Sequence, residues 1–192
     1  MLESGNEKAA VSLRHWSLAD AERLLELYRA HDDLGRQLPA LSSLSDAQAA
    51  VEPFLPGSEE RAIFCLEVNG QAAGLIGLSF EDKDPATGKY DRAWVWYWSA
   101  GELRGKGQMK SAVRLVTDWA MDRLDHQALP GGFELLKTAA SPGIRRLELG
   151  YRLNNPASAR VAEYAGFTVE GVERAKFKIG DQLIDAAIAA RL

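Results

Sequence analysis

The chain has 192 residues, a length that fits one domain or a domain with a small appendage. Hydrophobic residues make up 46% and charged residues 26%, which is ordinary globular usage and argues against disorder. With 23 Lys and Arg against 27 Asp and Glu, the net charge of −4 lacks the basic footprint of a general nucleic-acid binder.

The cysteine, the histidines and the length of the apolar runs exclude further classes of protein. Cys65 is the only cysteine, which excludes an intramolecular disulfide, and the three histidines are scattered without metal-ligand spacing. The sequence lacks the run of about 18 apolar residues that a membrane span requires. Its polar first residues are unlike a secretory signal. We therefore expect a cytoplasmic protein without a metal, and with neither nucleic acid nor membrane as a partner.

The first part of the chain predicts a strand and two helices. Residues 1–9 are polar and indicate a loose tail, which leaves 10–192 as one domain. Residues 11–16 favour a short strand, and the apolar spacing over 18–30 predicts an amphipathic helix. A capping box of Ser45 and Gln48 opens a second, shorter helix.

Three strands and a long helix are predicted next. Asn69-Gly70, the strongest short hairpin signal, joins the first two strands, and a polar loop over 81–89 precedes the third. The strands cover residues 62–68, 72–80 and 93–99. A glycine turn follows, and the apolar face after it predicts a helix of about 18 residues, ending near Leu124.

The last third returns to strands after a Pro- and Gly-rich excursion. Residues 125–143 form this loop excursion, with a short helix over 133–139. A strand over 145–153 leads to a helix opened by Asn155-Pro156, with Gly166 past its end. A closing hairpin, turned at Gly180-Asp181, covers 167–179 and 182–190. This order of elements predicts an α/β domain with a mixed sheet.

The strand, glycine turn and helix around residue 105 form the most informative motif. Gly105 and Gly107 let the backbone approach a ligand closely, and the first N–H groups of the helix have no intrahelical partner. The helix dipole and the charges of Arg104 and Lys106 suit a phosphate. The glycine spacing excludes a Walker loop and a dinucleotide fingerprint. Alone, the string Arg-Gly-Lys-Gly is also compatible with an exposed turn.

Two motifs together resemble a known superfamily. Arg104, Gly107 and Met109 stand at the key positions of motif A of the GNAT N-acetyltransferases, although Met109 departs from the usual Gly or Ala. The second half resembles the RimJ/RimL-like branch at Asn155, Ser158, Gly166-Phe167, Glu170-Gly171, Arg174 and Asp185. This resemblance implies the GNAT fold: a mixed, mostly antiparallel sheet of about seven strands with a central splay, flanked by about four helices.

The resemblance also implies acetyl-CoA as co-substrate. Its pyrophosphate would lie on the turn formed by Arg104, Gly105, Lys106, Gly107, Gln108 and Met109. The pantetheine would lie between the strands at 93–99 and 145–153. Backbone groups near Trp98 and Ser99 would polarise the thioester carbonyl, and Asn155 would bond the pantetheine.

Catalytic roles follow from the same resemblance. Ser158 is the expected acid for the leaving thiolate, although Asn155 and Ser158 also suit the N-cap and third position of a helix. The base stays open, with Glu81 taken first and His31 placed near the acceptor. The alternatives for the base are Glu67, Asp91, Glu148, His31 or a water relay.

Three tryptophans fall within a span of five residues on the strand predicted over 93–99. Trp94, Trp96 and Trp98 share one face, while Val95 and Tyr97 lie on the other. The family often has a glutamate at the first of these positions and a glycine at the second. The indoles either fill the core or, for Trp94 and Trp96, wall an acceptor pocket that suits an aromatic or cationic group.

These observations predict an acetyl-CoA-dependent N-acetyltransferase. It would move the acetyl group to a primary amine, on a protein N-terminus or a small molecule, by direct attack in a ternary complex. A homodimer is compatible with the sequence, but no feature defines its surface. The alternative is a non-catalytic CoA-binding or interaction module on the same fold.

Overall fold

A computed structural model describes residues 11–192, so the predicted tail at 1–9 lies outside the described residues. Seven strands form one sheet in the order β1-β2-β3-β4-β5-β7-β6. They are β1 Val11–Arg14, β2 Arg61–Val68, β3 Gln71–Lys83, β4 Tyr90–Ser99, β5 Arg146–Arg152, β6 Thr168–Ile179 and β7 Gln182–Arg191. Neighbouring strands are antiparallel except for β4 and β5, which are parallel. The mixed, mostly antiparallel sheet of seven strands is therefore confirmed.

Helices cover both faces of this sheet. They are α1 Ala21–Ala30, α2 Leu44–Val51, α3 Gln108–Ala120, α4 Leu135–Thr138 and α5 Pro156–Tyr164. Short 3₁₀ turns lie at Leu18–Asp20, Asp32–Arg36, Glu52–Phe54 and Gly101–Leu103.

Local turn and cap chemistry confirms several of the predicted boundaries. Asn69 and Gly70 have φ angles of 51° and 77°, as a two-residue hairpin requires, and they join the paired residues Val68 and Gln71. The side chain of Asn155 caps α5 by accepting the Ser158 N–H at 3.1 Å.

Other predicted boundaries were wrong. The box that caps α2 is formed by Ser43 and Asp46, whose reciprocal bonds are 3.1 and 2.9 Å long, and not by Ser45 and Gln48. The helix α3 has 13 residues, not about 18, because Asp122 has a left-handed φ of 58° that ends the helical path before Leu124. Strand β3 continues into the predicted polar loop over 81–89, where Lys83 still pairs with Tyr90.

Alternation along the strands divides the interior into two cores. On β2, Phe64 and Leu66 pack beneath α3 and α5, whereas Ile63 and Cys65 point to the side that α1 and α2 cover. Cys65 has 0% of its surface exposed, and this burial raises the pKa of its thiol to about 12. The thiol is therefore inert in the folded chain.

The excursion over 125–143 is anchored to β1 and to α3. The Leu13 N–H donates to the Gly132 carbonyl at 2.7 Å, and the Trp119 indole N–H donates to the Ala139 carbonyl at 3.0 Å. Phe133 and Leu136 are buried in the core under α3. This segment therefore covers an edge strand that would otherwise be open to further pairing.

A buried ion pair ties the last strand to α3. The Arg191 guanidinium, 6% exposed, pairs with the Asp118 carboxylate and donates to the Thr117 hydroxyl at 2.7 Å. Arg114 donates to the same carboxylate at 2.8 Å. Helix α3, whose first turn faces the site described below, is thereby fixed against β7.

Candidate functional site

The sheet opens between β4 and β5. Their parallel pairing is limited to three residue pairs, from Arg92 with Arg146 to Trp94 with Glu148, although β4 continues to Ser99 and β5 to Arg152. Beyond Trp94 the two strands diverge and open into a cleft of about 1610 Å³, which α3, α5, β6 and the segment after α1 also line. The splay that the family resemblance implied is therefore present.

The glycine turn forms one end of this cleft. Gly105 and Gly107 have φ angles of 74° and 75°, a region that disfavours other residues, and Gly107 immediately precedes α3. The N–H groups of the first turn of α3, together with its dipole, favour an anion at this point. The six residues predicted to hold the pyrophosphate all line the cleft: Arg104, Gly105, Lys106, Gly107, Gln108 and Met109.

These six residues do not all offer a side chain to a ligand. The Arg104 guanidinium donates to the Ser99 carbonyl at 2.8 and 3.1 Å and pairs with Asp33 at 2.8 Å. It therefore ties the turn to the end of β4 and to the loop after α1. Met109 is 7% exposed and packs into the core.

Positive charge is concentrated in the cleft. Among the residues that the structure describes there, the basic ones are Arg36, Arg104, Lys106, Lys110, Arg152, Arg160, Lys176 and Lys178. Asp33 is the one acidic residue in that lining. The chain as a whole has a net charge of −4, whereas the local charge of the cleft lining is positive. The cleft therefore attracts polyanions.

A pair of hydroxyl groups lies on the wall of the cleft. The Tyr97 hydroxyl is 2.7 Å from the Ser158 hydroxyl and 3.2 Å from the Ser158 carbonyl oxygen. Burial raises the pKa of Tyr97 to about 12, against the opposing effect of the Ser158 hydrogen bond, so the phenol is protonated at neutral pH. Asn155 and Tyr97 thus hold Ser158 from two sides, one through its backbone and one through its hydroxyl.

The three tryptophans have different environments. Trp98 is 4% exposed and packs against Trp16, with 6.0 Å between the ring centroids, so its indole belongs to the core. Trp94 and Trp96 are half-buried and line the cleft. Core filling therefore describes Trp98, whereas the other two indoles reach the cleft surface.

Two predicted site residues lie away from the cleft. Glu81 is exposed near the end of β3, where its carboxylate is 3.6 Å from the Arg92 guanidinium. The His31 ring accepts the Gly101 N–H at 3.3 Å and so supports the 3₁₀ turn after β4. Because neither residue is part of the cleft lining, the geometry does not place them beside the other candidates.

Tyr97 is the residue that sequence reasoning placed on the sheet without giving it a role. The alternation with the tryptophans predicted its face, but its partner Ser158 is 61 residues away in the chain. The basic residues contributed by β5 and β6 were also missed, because no local motif marks them.

The described residues offer neither a metal site nor a membrane-spanning helix. Within residues 11–192, no three His, Cys, Asp or Glu side chains are grouped as a metal ion would need. No helix in the same range has the length and apolar content to cross a membrane.

A sheet that splays beside a glycine turn and a long helix agrees with the family that the sequence pattern identifies. Residues 11–168 match the acetyltransferase (GNAT) domain, and the chain therefore belongs to this family of acyltransferases. The protein "Probable N-acetyltransferase YjcK" of Bacillus subtilis (strain 168) is 32% identical over 105 residues, which are 55% of this chain and 48% of that protein. The match thus spans about half the length of that relative.

Other relatives match over more of their length. YdaF of Bacillus subtilis (strain 168), named as a candidate ribosomal N-acetyltransferase, is 26% identical over 172 residues, covering 85% of this chain and 81% of YdaF. The solved structure of RimL, a ribosomal alpha-N-protein acetyltransferase in complex with coenzyme A, has a TM-score of 0.70 at 20% identity. That likeness covers 95% of this chain and 93% of RimL, and it shows a shared fold.

Proposed function

We propose that this chain transfers the acetyl group of acetyl-CoA to a primary amine, by direct attack of the amine in a ternary complex. The observation that carries the proposal is a basic cleft that runs from the glycine turn to the hydroxyl pair of Ser158 and Tyr97. Relatives named as N-acetyltransferases, and a fold shared with a protein solved with coenzyme A, support it.

The cofactor's phosphates match the charge and backbone of one end of the cleft. In this proposal the N–H groups from Gly105 to Met109 receive the pyrophosphate, with Lys106 and Lys110 beside it. Arg104 shapes the turn, because its guanidinium is already engaged by Asp33 and Ser99. Asn155 contacts the pantetheine through its amide nitrogen, since its oxygen accepts the Ser158 N–H.

Ser158 acts as the acid in the chemical step. The amine nitrogen attacks the thioester carbonyl carbon, the C–S bond breaks, and the Ser158 hydroxyl gives its proton to the departing sulfur. Tyr97, 2.7 Å away and protonated, orients this hydroxyl, passes its proton to the Ser158 oxygen and regains one from water. The excess proton of the new amide nitrogen passes to water, because Asp33, the acidic residue of the described lining, is paired with Arg104.

Thiol release measures this reaction directly. Acetyl-CoA is incubated with a panel of amines and peptides, and free CoA thiol is detected with a chromogenic disulfide. Ser158→Ala should lower kcat about 10²- to 10⁴-fold, as loss of a general acid does. Tyr97→Phe should lower it less and change the pH profile. Ser45→Ala, on the exposed side of α2, is the matched control.

Three results would separate the alternatives. Unchanged turnover of Ser158→Ala at every pH would exclude the acid role. A rise in melting temperature with acetyl-CoA but no thiol release with any amine would indicate a CoA-binding module instead. If acetyl-CoA causes no thermal shift and no amine releases thiol, both the enzyme and the CoA-binding module are excluded.

A further inference from the structure

A second, smaller cavity adjoins the cleft. It has a volume of about 400 Å³, at the lower end of the range for ligand pockets, and lies between α2, the loop before it and β4. Gln37 and Trp96 line both cavities, so the two are neighbours that share a wall. The apolar part of its lining includes Leu38, Pro39, Ala50, Pro53, Phe54 and Trp96. We refer to it as the side pocket.

The Trp96 indole is held in place at the junction of the two cavities. It packs directly against Gly77 of the neighbouring strand, where an added Cβ would be 2.6 Å from its Cζ2 atom. On its other side it contacts the Phe54 ring, with 6.2 Å between centroids and 52° between planes. The indole is thus a fixed wall, and half-buried rather than sequestered in the core.

The side pocket differs from the cleft in charge. Its one ionisable member is Asp46, whose carboxylate accepts the Ser42 hydroxyl at 2.5 Å and the Ser42 and Ser43 N–H groups at 2.9 Å. These bonds, all made to Oδ2, hold the pKa of Asp46 at about 2 and commit that oxygen to capping α2. Apart from Asp46 and Gln37, the lining offers a ligand an apolar surface beside a basic cleft.

We propose that the side pocket binds an uncharged apolar ring carried by the acceptor amine, and that it sets the acceptor specificity. This inference rests on the proposed acetyl transfer. The ring would pack against Trp96 and Phe54 in offset or edge geometry while the amine remains in the cleft. The ring can come from two sources, an arylalkylamine or a peptide with an aromatic N-terminal residue.

Paired acceptors isolate the contribution of the ring. The panel compares 2-phenylethylamine with ethylamine, and a Phe-Gly peptide with a Gly-Gly peptide, by thiol release. For at least one pair, kcat/KM should favour the ring by about 10²-fold, since a hydrophobic pocket typically discriminates by 10- to 200-fold. The pair that shows the preference identifies the source.

A variant that fills the side pocket tests its location. Ala49 is exposed on α2 and lines the pocket, so Ala49→Trp puts a large ring into the space without disturbing the core. We expect this variant to lose the ring preference while keeping its turnover of ethylamine or Gly-Gly and its KM for acetyl-CoA. Gln48→Trp, one residue earlier and outside the pocket lining, should keep the preference.

A binding measurement keeps this inference separate from catalysis. Calorimetry with CoA present should show 2-phenylethylamine or Phe-Gly binding to the native chain and about tenfold weaker binding to Ala49→Trp. Turnover without a ring preference, or a preference that survives in Ala49→Trp, would overturn the side pocket but not acetyl transfer. If no amine is turned over, ring binding lost in Ala49→Trp still supports the pocket, and absent binding refutes it.

Discussion

Replacing Gly77 by alanine would place a methyl group inside the Trp96 indole. The added Cβ would lie 2.6 Å from Cζ2 and 2.7 Å from Nε1, and closer still to Cε2, whereas a Cβ normally keeps at least 3.4 Å. Gly77 pairs with Ile63 on one side and with Trp96 on the other, so its backbone has little freedom to retreat. The indole has to move instead.

The magnitude follows from overpacking and from the contacts that the indole loses. Forcing extra volume into a packed site costs about 1–3 kcal/mol, and we expect Gly77→Ala to lie near 3 kcal/mol. Trp96→Ala alone removes a half-buried indole, for which about 2 kcal/mol is reasonable beside 3–5 for a fully buried one. In the double variant the new methyl occupies the vacated space. The double variant should thus cost about 2 kcal/mol, which corresponds to a coupling of about 3 kcal/mol.

Urea unfolding of the four chains measures this cycle. Gly171→Ala is the control, because Gly171 also lies in a strand but nothing is within 4 Å of its added Cβ, and its change should stay within about 0.5 kcal/mol. A neutral Gly77→Ala, or costs that simply add in the double variant, would refute the reasoning. In the side-pocket assay, Gly77→Ala should also raise KM for a ring-bearing amine.

Three further predictions concern stability and charge. Asp118→Ala leaves Arg191 buried without its carboxylate and should cost about 3 kcal/mol in urea unfolding, while Asp118→Asn should cost less. Burial raises the pKa of the Cys65 thiol to about 12, above the value of about 8.5 in an unfolded chain. The stability that the protonated thiol contributes is therefore complete below about pH 8.5 and is lost as pH rises toward 12. In urea unfolding at several pH values, the free energy of unfolding of Cys65→Ala should decline less steeply at alkaline pH than that of the native chain. Raising salt from about 0.05 to 0.5 M should weaken acetyl-CoA binding about tenfold in calorimetry, because residues such as Lys106 are exposed, and unchanged affinity would argue against phosphate contacts there.

The parts of the fold that depend on short-range chemistry were predictable. The Asn69-Gly70 turn and the Asn155 cap each depend on a few neighbouring residues, and both are present in the structure. The length of α3 was not predictable in the same way. The apolar spacing continues to Leu124, but periodicity does not register the left-handed φ of Asp122 that ends the helix first.

The site shows the same division between local and distant information. Alternation placed the three tryptophans on one face, yet only Gly77, 19 residues before Trp96, explains how that indole fits against the neighbouring strand. Ser158 was found through a motif, whereas its bond to Tyr97 depends on strand and helix packing. The sequence motif thus identified Ser158, whereas its partner Tyr97 could be identified only from the tertiary structure.

The divergence of β4 from β5 has a consequence for the energetics of the sheet. Past Trp94, the backbone of β4 is paired to β3 alone, so one row of its N–H and C=O groups faces the cleft. An extended ligand can supply the missing partners in the way that an added strand does. Ligand binding would then contribute to the stability of the fold. At a ligand concentration about 100 times Kd, it would add about 2.7 kcal/mol to the free energy of unfolding. Under the proposed binding of acetyl-CoA, the β4 amides between Val95 and Ser99 that face the cleft should exchange with solvent more slowly when acetyl-CoA is present, because the ligand closes the open side of this strand.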